Sequence, residues 1–288
     1  MKFGISSYSL YNAMKAGEIS FLDALDWVKN IGAGHFEVVP LGFDLLEDDS
    51  LIMEIRNRAE MLELDLSNYA IGANFIQQTN AEVEKEIERV KKHVDIANEL
   101  GVKFMRHDVA SRPPKETDIS RYYEDLPILV EACREVAAHA EQYGIITSVE
   151  NHGFYVQESD RVKLLVEQVN RPNFRTTLDI GNFLCADENP VNAVRNNISL
   201  ASMVHIKDFY YRTQPDQDPG EGWFKTKYDN YLRGAIAGHG DLEMLEILKI
   251  IKYSEYDGYI SLEFEGMEDC RLGTTVGFQN LRSFWEKI

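Results

Sequence analysis

Short segments with alternating apolar and polar residues recur along the whole chain of 288 residues. This alternation is typical of a β-strand with one face in a core. Turn-rich stretches and longer segments with helical periodicity separate these strand-like segments. The predicted strands are 2–8, 35–39, 64–70, 103–109, 146–151, 174–180, 202–209 and 259–265.

The intervals between these strands carry helical patterns. The clearest helix is 80–100, where Val83, Ile87 and Val90 recur every three or four residues and Glu and Lys fill the outer positions. Gly101 follows as a helix stop signal. Further helices are predicted at 21–31, 50–63, 123–143, 159–169, 190–200, 242–253 and 275–287.

Eight strands in strict alternation with helices predict a fold of class α/β with parallel strands and right-handed crossovers. Eight is also the number that closes a barrel. An open doubly wound sheet is the alternative, but its nucleotide-binding form needs a glycine-rich first turn, and "SSYSLYN" has no glycine. We therefore predict a (β/α)8 TIM barrel as a single domain over 1–288, with a long loop insertion at about 209–240 after the seventh strand.

The last four strands carry acidic and imidazole side chains at their carboxyl ends, where barrels of this type place their chemistry. Alternation predicts that Glu150, Asp179, His205 and Glu263 all point inward. Three carboxylates at one level repel each other unless a cation neutralises them, and an imidazole completes an oxygen-rich divalent site. We predict one metal ion, Mn²⁺ in first place, with Mg²⁺, Co²⁺ and Zn²⁺ as alternatives. The competing interpretation is four independent polar strand ends that contact solvent and loops.

Four sequence motifs resemble those of a known family. They are "SVEN", "TLDIGN", "VHIKDF" and the run "GHGDLEMLEILKIIKYSEYDGYISLEFEG". Through them the chain resembles the sugar phosphate isomerase/epimerase family of the xylose isomerase-like TIM barrel superfamily. The resemblance implies that Glu150, Asp179, His205 and Glu263 are metal ligands. It also implies that Glu150 and Glu263 exchange protons with the substrate.

Other polar residues are candidates for the barrel mouth. Alternation in the fourth strand places His107 inward, as a catalytic acid, base or hydroxyl contact, and Arg106 toward the helices in an ion pair. Glu37 and Tyr8 are also predicted to point inward. The candidate substrate-binding residues are Asn182, Lys207, Arg212, His239, His152 and Trp223. The aromatic insertion is either a lid over the substrate or a contact between subunits of a homo-oligomer.

The predicted function is a metal-dependent isomerase or epimerase that moves a proton of a sugar or keto-sugar through an enediolate. The alternative is a lyase or dehydratase that performs β-elimination on a keto-inositol or 3-keto-glycoside. Asn182 favours the alternative slightly, because many sugar epimerases of the superfamily carry a histidine at that place and an amide cannot take up a proton. An apurinic endonuclease-like activity and a non-catalytic sugar-binding role rank lower.

Charge and composition limit the kinds of molecule that the protein is expected to bind. The formal net charge is -18, from 48 acidic and 30 basic side chains, which repels a nucleic acid backbone. Three cysteines at wide spacing give no disulfide framework, and no apolar run reaches the roughly 18 residues of a membrane span. We therefore expect a cytoplasmic protein whose partner is a small sugar or sugar derivative.

Overall fold

Parallel strands form a closed barrel in the computed structural model, which describes residues 2–213 and 216–288. The strands are β1 (Lys2–Ser6), β2 (His35–Val38), β3 (Asp65–Ile71), β4 (Phe104–His107), β5 (Ile146–Glu150), β6 (Phe174–Asp179), β7 (Ala201–Ile206), β8 (Asp208–Arg212), β9 (Phe224–Lys225), β10 (Tyr231–Ala235) and β11 (Tyr259–Leu262). Around the barrel the order is β1, β11, β7, β6, β5, β4, β3 and β2. The predicted (β/α)8 barrel is confirmed.

Helices follow the barrel strands and cover them. They are α1 (Tyr11–Lys15), α2 (Phe21–Asn30), α3 (Asp49–Met61), α4 (Asn80–Leu100), α5 (Ile119–Glu141), α6 (Ser159–Val169), α7 (Pro190–Asn197), α8 (Met244–Tyr253) and α9 (Cys270–Lys287). Helix α4 begins at a capping box between Thr79 and Glu82 and ends at Gly101, which has a φ of 78°. In the described part of the chain, none of the helices is both long and apolar enough to cross a membrane.

The core lies between the barrel and its helices. Ile5, Phe36, Val149, Leu178 and Val204 come from five different strands, and each is at most 1% exposed. The other face of each strand points into the lumen, where Gly4, Ser148, Thr177 and Ser261 lie beside the larger Met203. This division leaves the carboxyl ends of the strands as the place where charged lumen residues gather.

The insertion after β7 forms an antiparallel sheet of its own, in the order β8, β10, β9. The carboxylate of Asp208 anchors the segment that follows β10. This carboxylate accepts hydrogen bonds from the backbone N–H groups of Phe209, Gly238, Gly240 and Leu242 at 2.8 to 3.3 Å. A Cβ atom at Gly240 would lie 2.2 Å from the Asp208 carboxylate oxygen. Gly240 of "GHGDL" therefore lets the backbone pass close to the Asp208 carboxylate, and these contacts hold the end of β7 in place.

Candidate active site

The four predicted metal-ligating residues meet at the carboxyl end of the barrel. Glu150, Asp179 and His205 stand on β5, β6 and β7, and Glu263 follows β11, so the four strands are neighbours. One donor atom of each residue lies within 4.8 Å of the donor atoms of all the others. All four side chains are buried. Sequence alternation therefore predicted a real cluster.

The ring of His205 is oriented by a carboxylate from across the lumen. Its Nε2 lies 3.0 Å from Glu37 Oε1, while its Nδ1 lies 3.5 Å from Glu150 Oε1 and 3.4 Å from Glu263 Oε1. When the proton resides on Nε2, the Nδ1 lone pair faces the cluster. His205 Nδ1 and Asp179 Oδ2 are buried without a hydrogen-bond partner. These donor atoms fit a divalent cation that prefers oxygen and imidazole ligands.

The electrostatics of the cluster show an excess of negative charge. Burial lowers the pKa of His205, but the carboxylates of Glu37, Glu263 and Glu150 raise it well above its usual range. Burial, with repulsion from Glu150 and Glu263, raises the pKa of Asp179 to about 6 even though Lys207 opposes the shift. The cluster therefore favours an additional positive charge at its centre.

Two buried cations flank the cluster. Lys207 Nζ lies 3.1 Å from Glu263 Oε2, 3.3 Å from Glu265 Oε2 and 3.6 Å from Asp179 Oδ2. On the other side, Arg106 Nε lies 2.6 Å from Glu150 Oε2. These ion pairs compensate part of the carboxylate charge and hold the three carboxylates of the cluster in place.

The orientation predicted for the fourth strand is wrong. Arg106 pairs in register with Ser148, a lumen residue of β5, so its side chain points into the barrel and not toward the helices. His107 consequently points outward, where its ring lies 5.8 Å from that of Phe75 and 6.1 Å from that of Phe174. Burial lowers the pKa of His107 to about 4. His107 does not line the mouth and has no place in the candidate site.

A cavity of about 570 Å³ opens above the cluster. Three of the predicted substrate-binding residues line it, namely Asn182, Lys207 and His152. Asn182 Nδ2 donates to Glu150 Oε1 at 3.1 Å. His152 is 49% exposed, and its Nδ1 lies 3.2 Å from the Oδ1 of Asp108. These side chains present hydrogen-bonding groups to a molecule in the cavity.

Three other predicted substrate-binding residues lie outside the cavity lining. Arg212 pairs with Asp241 at 3.2 Å and stacks over the ring of Trp223 at 5.5 Å, and both contacts belong to the insertion. His239 is exposed in the "GHGDL" turn. The loop pattern marked these residues as aromatic or polar but could not show that the insertion folds as a sheet, in which Arg212 contacts Asp241 and Trp223 and does not line the cavity. Phe224 lines the cavity from this insertion.

Two further cavity residues contact each other at the mouth of the barrel. Tyr8 and Glu265 line the cavity, and the Tyr8 hydroxyl donates to Glu265 Oε2 at 3.4 Å. Burial, with repulsion from Glu265, raises the pKa of Tyr8 to about 12. The alternation in "YISLEFE" predicts Glu265 on the same inward face as Glu263, two residues further along, and its place in the cavity lining agrees with this.

The chain matches the model of a known protein family. The family model described as xylose isomerase-like TIM barrel matches residues 25–284 of the chain. The protein belongs to this family. Structural neighbours include a protein of Parabacteroides distasonis described as a sugar phosphate isomerase/epimerase and a D-tagatose 3-epimerase-like protein, so the resemblance inferred from the four motifs is confirmed.

Relatives in the xylose isomerase-like family differ in their reactions. The 3-oxo-isoapionate decarboxylase of Pectobacterium atrosepticum is 24% identical and covers 94% of this chain and 90% of its own. The probable 3-DHS dehydratase AsbF of Bacillus anthracis superposes with a TM-score of 0.76 at 16% identity, over 98% of this chain and 99% of its own. The IOLI protein, whose crystal structure holds a zinc atom, superposes with a TM-score of 0.73 at 19% identity, over 99% and 96% of the two chains. Epimerases, isomerases and further dehydratases also match, so the family spans several reactions of small sugar-like molecules.

Proposed function

We propose that the protein is a divalent-metal-dependent isomerase or epimerase that moves a proton beside the carbonyl of a sugar or keto-sugar. The observation that carries this proposal is the convergence of four buried donors beneath a cavity lined with hydrogen-bonding groups. A solvated set of strand ends would not leave His205 Nδ1 and Asp179 Oδ2 buried without a hydrogen-bond partner.

The proposed ligands are Glu150, Asp179, His205 through Nδ1, and Glu263. A divalent ion held there would polarise a substrate carbonyl and stabilise the negative charge that develops on its oxygen. Three carboxylates and one imidazole suit Mn²⁺, and the zinc-containing relative supports a divalent ion in this fold.

Geometry distinguishes the two glutamates. The Oε2 of Glu150 lies 2.6 Å from Arg106 Nε, and its Oε1 accepts from Asn182 at 3.1 Å. The Oε1 of Glu263 has a longer contact of 3.4 Å with His205 Nδ1, so Glu150 is held more tightly. The Oε2 of Glu263 contacts Lys207, whose long side chain also lines the cavity. We therefore assign proton transfer to Glu263 and an orienting role to Glu150.

In the proposed reaction, Glu263 accepts the proton from the carbon beside the carbonyl. The electrons of the broken C–H bond form the carbon–carbon double bond of an enediolate. Glu263 then returns the proton to the former carbonyl carbon, and the proton of the neighbouring hydroxyl passes to the former carbonyl oxygen, which isomerises the substrate. Epimerisation would instead need a proton from a second donor on the opposite face of the same carbon. Lys207 and Asn182 hold substrate oxygens during these steps.

A second candidate function is β-elimination. The Lys207 ammonium is the observation that favours it, because a buried N–H donor between Glu263 and Glu265 could hydrogen-bond to a departing oxygen. In that reaction the electrons of the C–H bond expel the leaving group from the β-carbon, and the proton ends on the departing oxygen. The dehydratase and decarboxylase relatives are consistent with this outcome.

Incubation in deuterium oxide separates these functions. The Mn²⁺-loaded protein would be incubated with hydroxypyruvate, D-fructose, D-psicose, inosose or a 3-keto-D-glucoside, and the products followed by NMR. Deuterium beside the carbonyl without a released group supports the isomerase or epimerase, whereas loss of water or an aglycone supports the lyase. E263Q should lower turnover by about 10² to 10⁴. The matched control E255Q changes an exposed glutamate and should turn over normally. Normal turnover by E263Q would contradict the assignment.

A further inference from the structure

The mouth of the barrel has two unlike halves. The strands of the four donors, β5, β6, β7 and β11, are consecutive around the ring, and β2 lies four places from β6, diametrically opposite it. After β2 the cavity is lined by apolar residues, and the end of β3 adds another. We call this set the apolar wall, formed by Val39, Pro40, Leu41, Phe43 and Ile71.

The apolar wall is fixed and partly uncovered. The ring of Phe43 packs edge-on against Phe21 at 4.9 Å, which anchors the loop after β2 on helix α2. Val39, Pro40, Leu41 and Phe43 are nevertheless only half-buried. A firmly packed loop that leaves apolar surface inside a cavity offers a preformed place for an apolar group.

Hydrogen-bonding groups are concentrated away from this wall. Asn182, Lys207 and Glu265 follow β6, β7 and β11, while Arg106 and Asp108 belong to the end of β4. Beside the wall, Asp44 is exposed at the rim, and Arg89 and His93 also line the cavity. Arg89 already donates to Glu86 and to the carbonyl of Gly72, and the His93 ring contacts Arg89 and the Tyr69 hydroxyl. A substrate with hydroxyl groups on every side would leave those that face the wall without partners, which costs free energy.

We propose that the substrate carries an aromatic or aliphatic substituent opposite its carbonyl end, and that this substituent packs on the apolar wall. The inference rests on the proposed function, because it places the carbonyl end at the four donors. The ligand class is thus a polyhydroxylated ketone with an apolar group attached, for example through a glycosidic oxygen. The apolar wall then binds the substituent, while the half of the mouth that carries the four donors binds the substrate oxygens.

Equilibrium binding tests the wall without requiring turnover. Methyl and phenyl β-D-glucopyranoside share one sugar and differ in the substituent, and calorimetry would compare their binding to Mn²⁺-loaded protein. We expect the phenyl glucoside to bind about tenfold more tightly, as burial of part of a ring predicts. L41N should remove most of that preference. The matched control L46N changes a leucine of the same loop that is 36% exposed and lies outside the cavity, and it should keep the preference.

Equal affinities for the two glucosides, no binding of either, or a preference that survives in L41N would overturn the inference. Leu41 is used instead of Phe43 because Phe43 also supports the core through Phe21. Failure of the deuterium experiment combined with an L41N-sensitive phenyl preference would reject the proposed reaction and retain the wall. Turnover of small ketones without any preference for the phenyl glucoside would retain the proposed reaction and reject the role of the apolar wall.

Discussion

At the scale of single residues, Glu37 is the side chain that orients the His205 ring. It is fully buried, it accepts from Asn68 Nδ2 at 2.7 Å, and it lies 3.0 Å or less from His205 Nε2. A carboxylate behind a metal-ligating histidine fixes the ring and makes the other nitrogen a better ligand. Sequence alternation placed Glu37 inward but gave no sign of this partner, because the two residues are 168 positions apart.

E37Q should therefore lower Mn²⁺ affinity by about 10- to 100-fold. The amide keeps the shape of the side chain but loses the negative charge that holds the Nε2 proton. Titration against a fluorescent chelator would measure the affinity. E265Q changes a cavity carboxylate outside the four donors and serves as the matched control. An unchanged affinity in E37Q would show that Glu37 does not act on the donor set.

Arg106 gives a second residue-scale prediction, since it is the buried partner of Glu150. R106M should destabilise the metal-free protein by about 3 to 5 kcal/mol, because the carboxylate is left buried without compensation. Mn²⁺ should restore much of this loss, since the ion supplies positive charge at the same carboxylate. Urea unfolding with EDTA and with Mn²⁺ would measure both values.

The control R56M removes an exposed pair with Glu60 and should change stability by no more than about 0.5 kcal/mol. An equal loss of stability in R106M with and without the metal would argue that Arg106 acts on packing alone.

At the scale of elements, sequence patterns predicted each barrel strand and nearly every helix to within a few residues. Strand β4 is the one whose inward and outward faces were predicted the wrong way round. Phe104 and Met105 are both apolar, so alternation does not show which of its faces points into the lumen. Pairing decides the phase, because Arg106 lies opposite Ala70 on one side and Ser148 on the other. The small sheet of the insertion also escaped prediction, since it depends on pairing between β8 and β10 across a turn-rich segment.

The anchor of that insertion supports an element-scale prediction. D208N should lower the free energy of unfolding by about 1 to 3 kcal/mol, because an amide offers one acceptor oxygen where four backbone N–H groups now bind a carboxylate. Thermal unfolding would measure the change. Asp218, which is exposed and accepts from Gly220 N, gives the control D218N. A D208N protein as stable as D218N would rule out the anchoring role.

At the scale of the whole molecule, stability should fall as the pH drops below the ordinary histidine range. Burial lowers the pKa of His35, His93 and His107 to about 4, and Arg89 contributes to the shift at His93. Between about pH 6.5 and 4 the unfolded chain binds protons that these folded histidines do not, so acid favours unfolding. Each such histidine makes the slope steeper by about 1.4 kcal/mol per pH unit.

H93Q isolates one of these contributions. The neutral ring of His93 accepts from Arg89 Nη1 at 3.0 Å and lies 2.8 Å from the Tyr69 hydroxyl, and a glutamine amide can replace both contacts. The slope of unfolding free energy between pH 5 and 6 should be shallower in H93Q by about 1.4 kcal/mol per unit. Equal slopes would mean that His93 is protonated in the folded protein.

The proposed reaction and the proposed substrate orientation both require a cation at the four donors, and diffraction tests directly whether one binds there. Crystals grown with Mn²⁺ would be measured at the manganese absorption edge, and the anomalous map would locate the ion. We predict one ion per chain, bound by Glu150, Asp179, His205 Nδ1 and Glu263. A map with no anomalous peak among these residues, or with manganese only elsewhere on the protein, would show that the four residues are not a metal site.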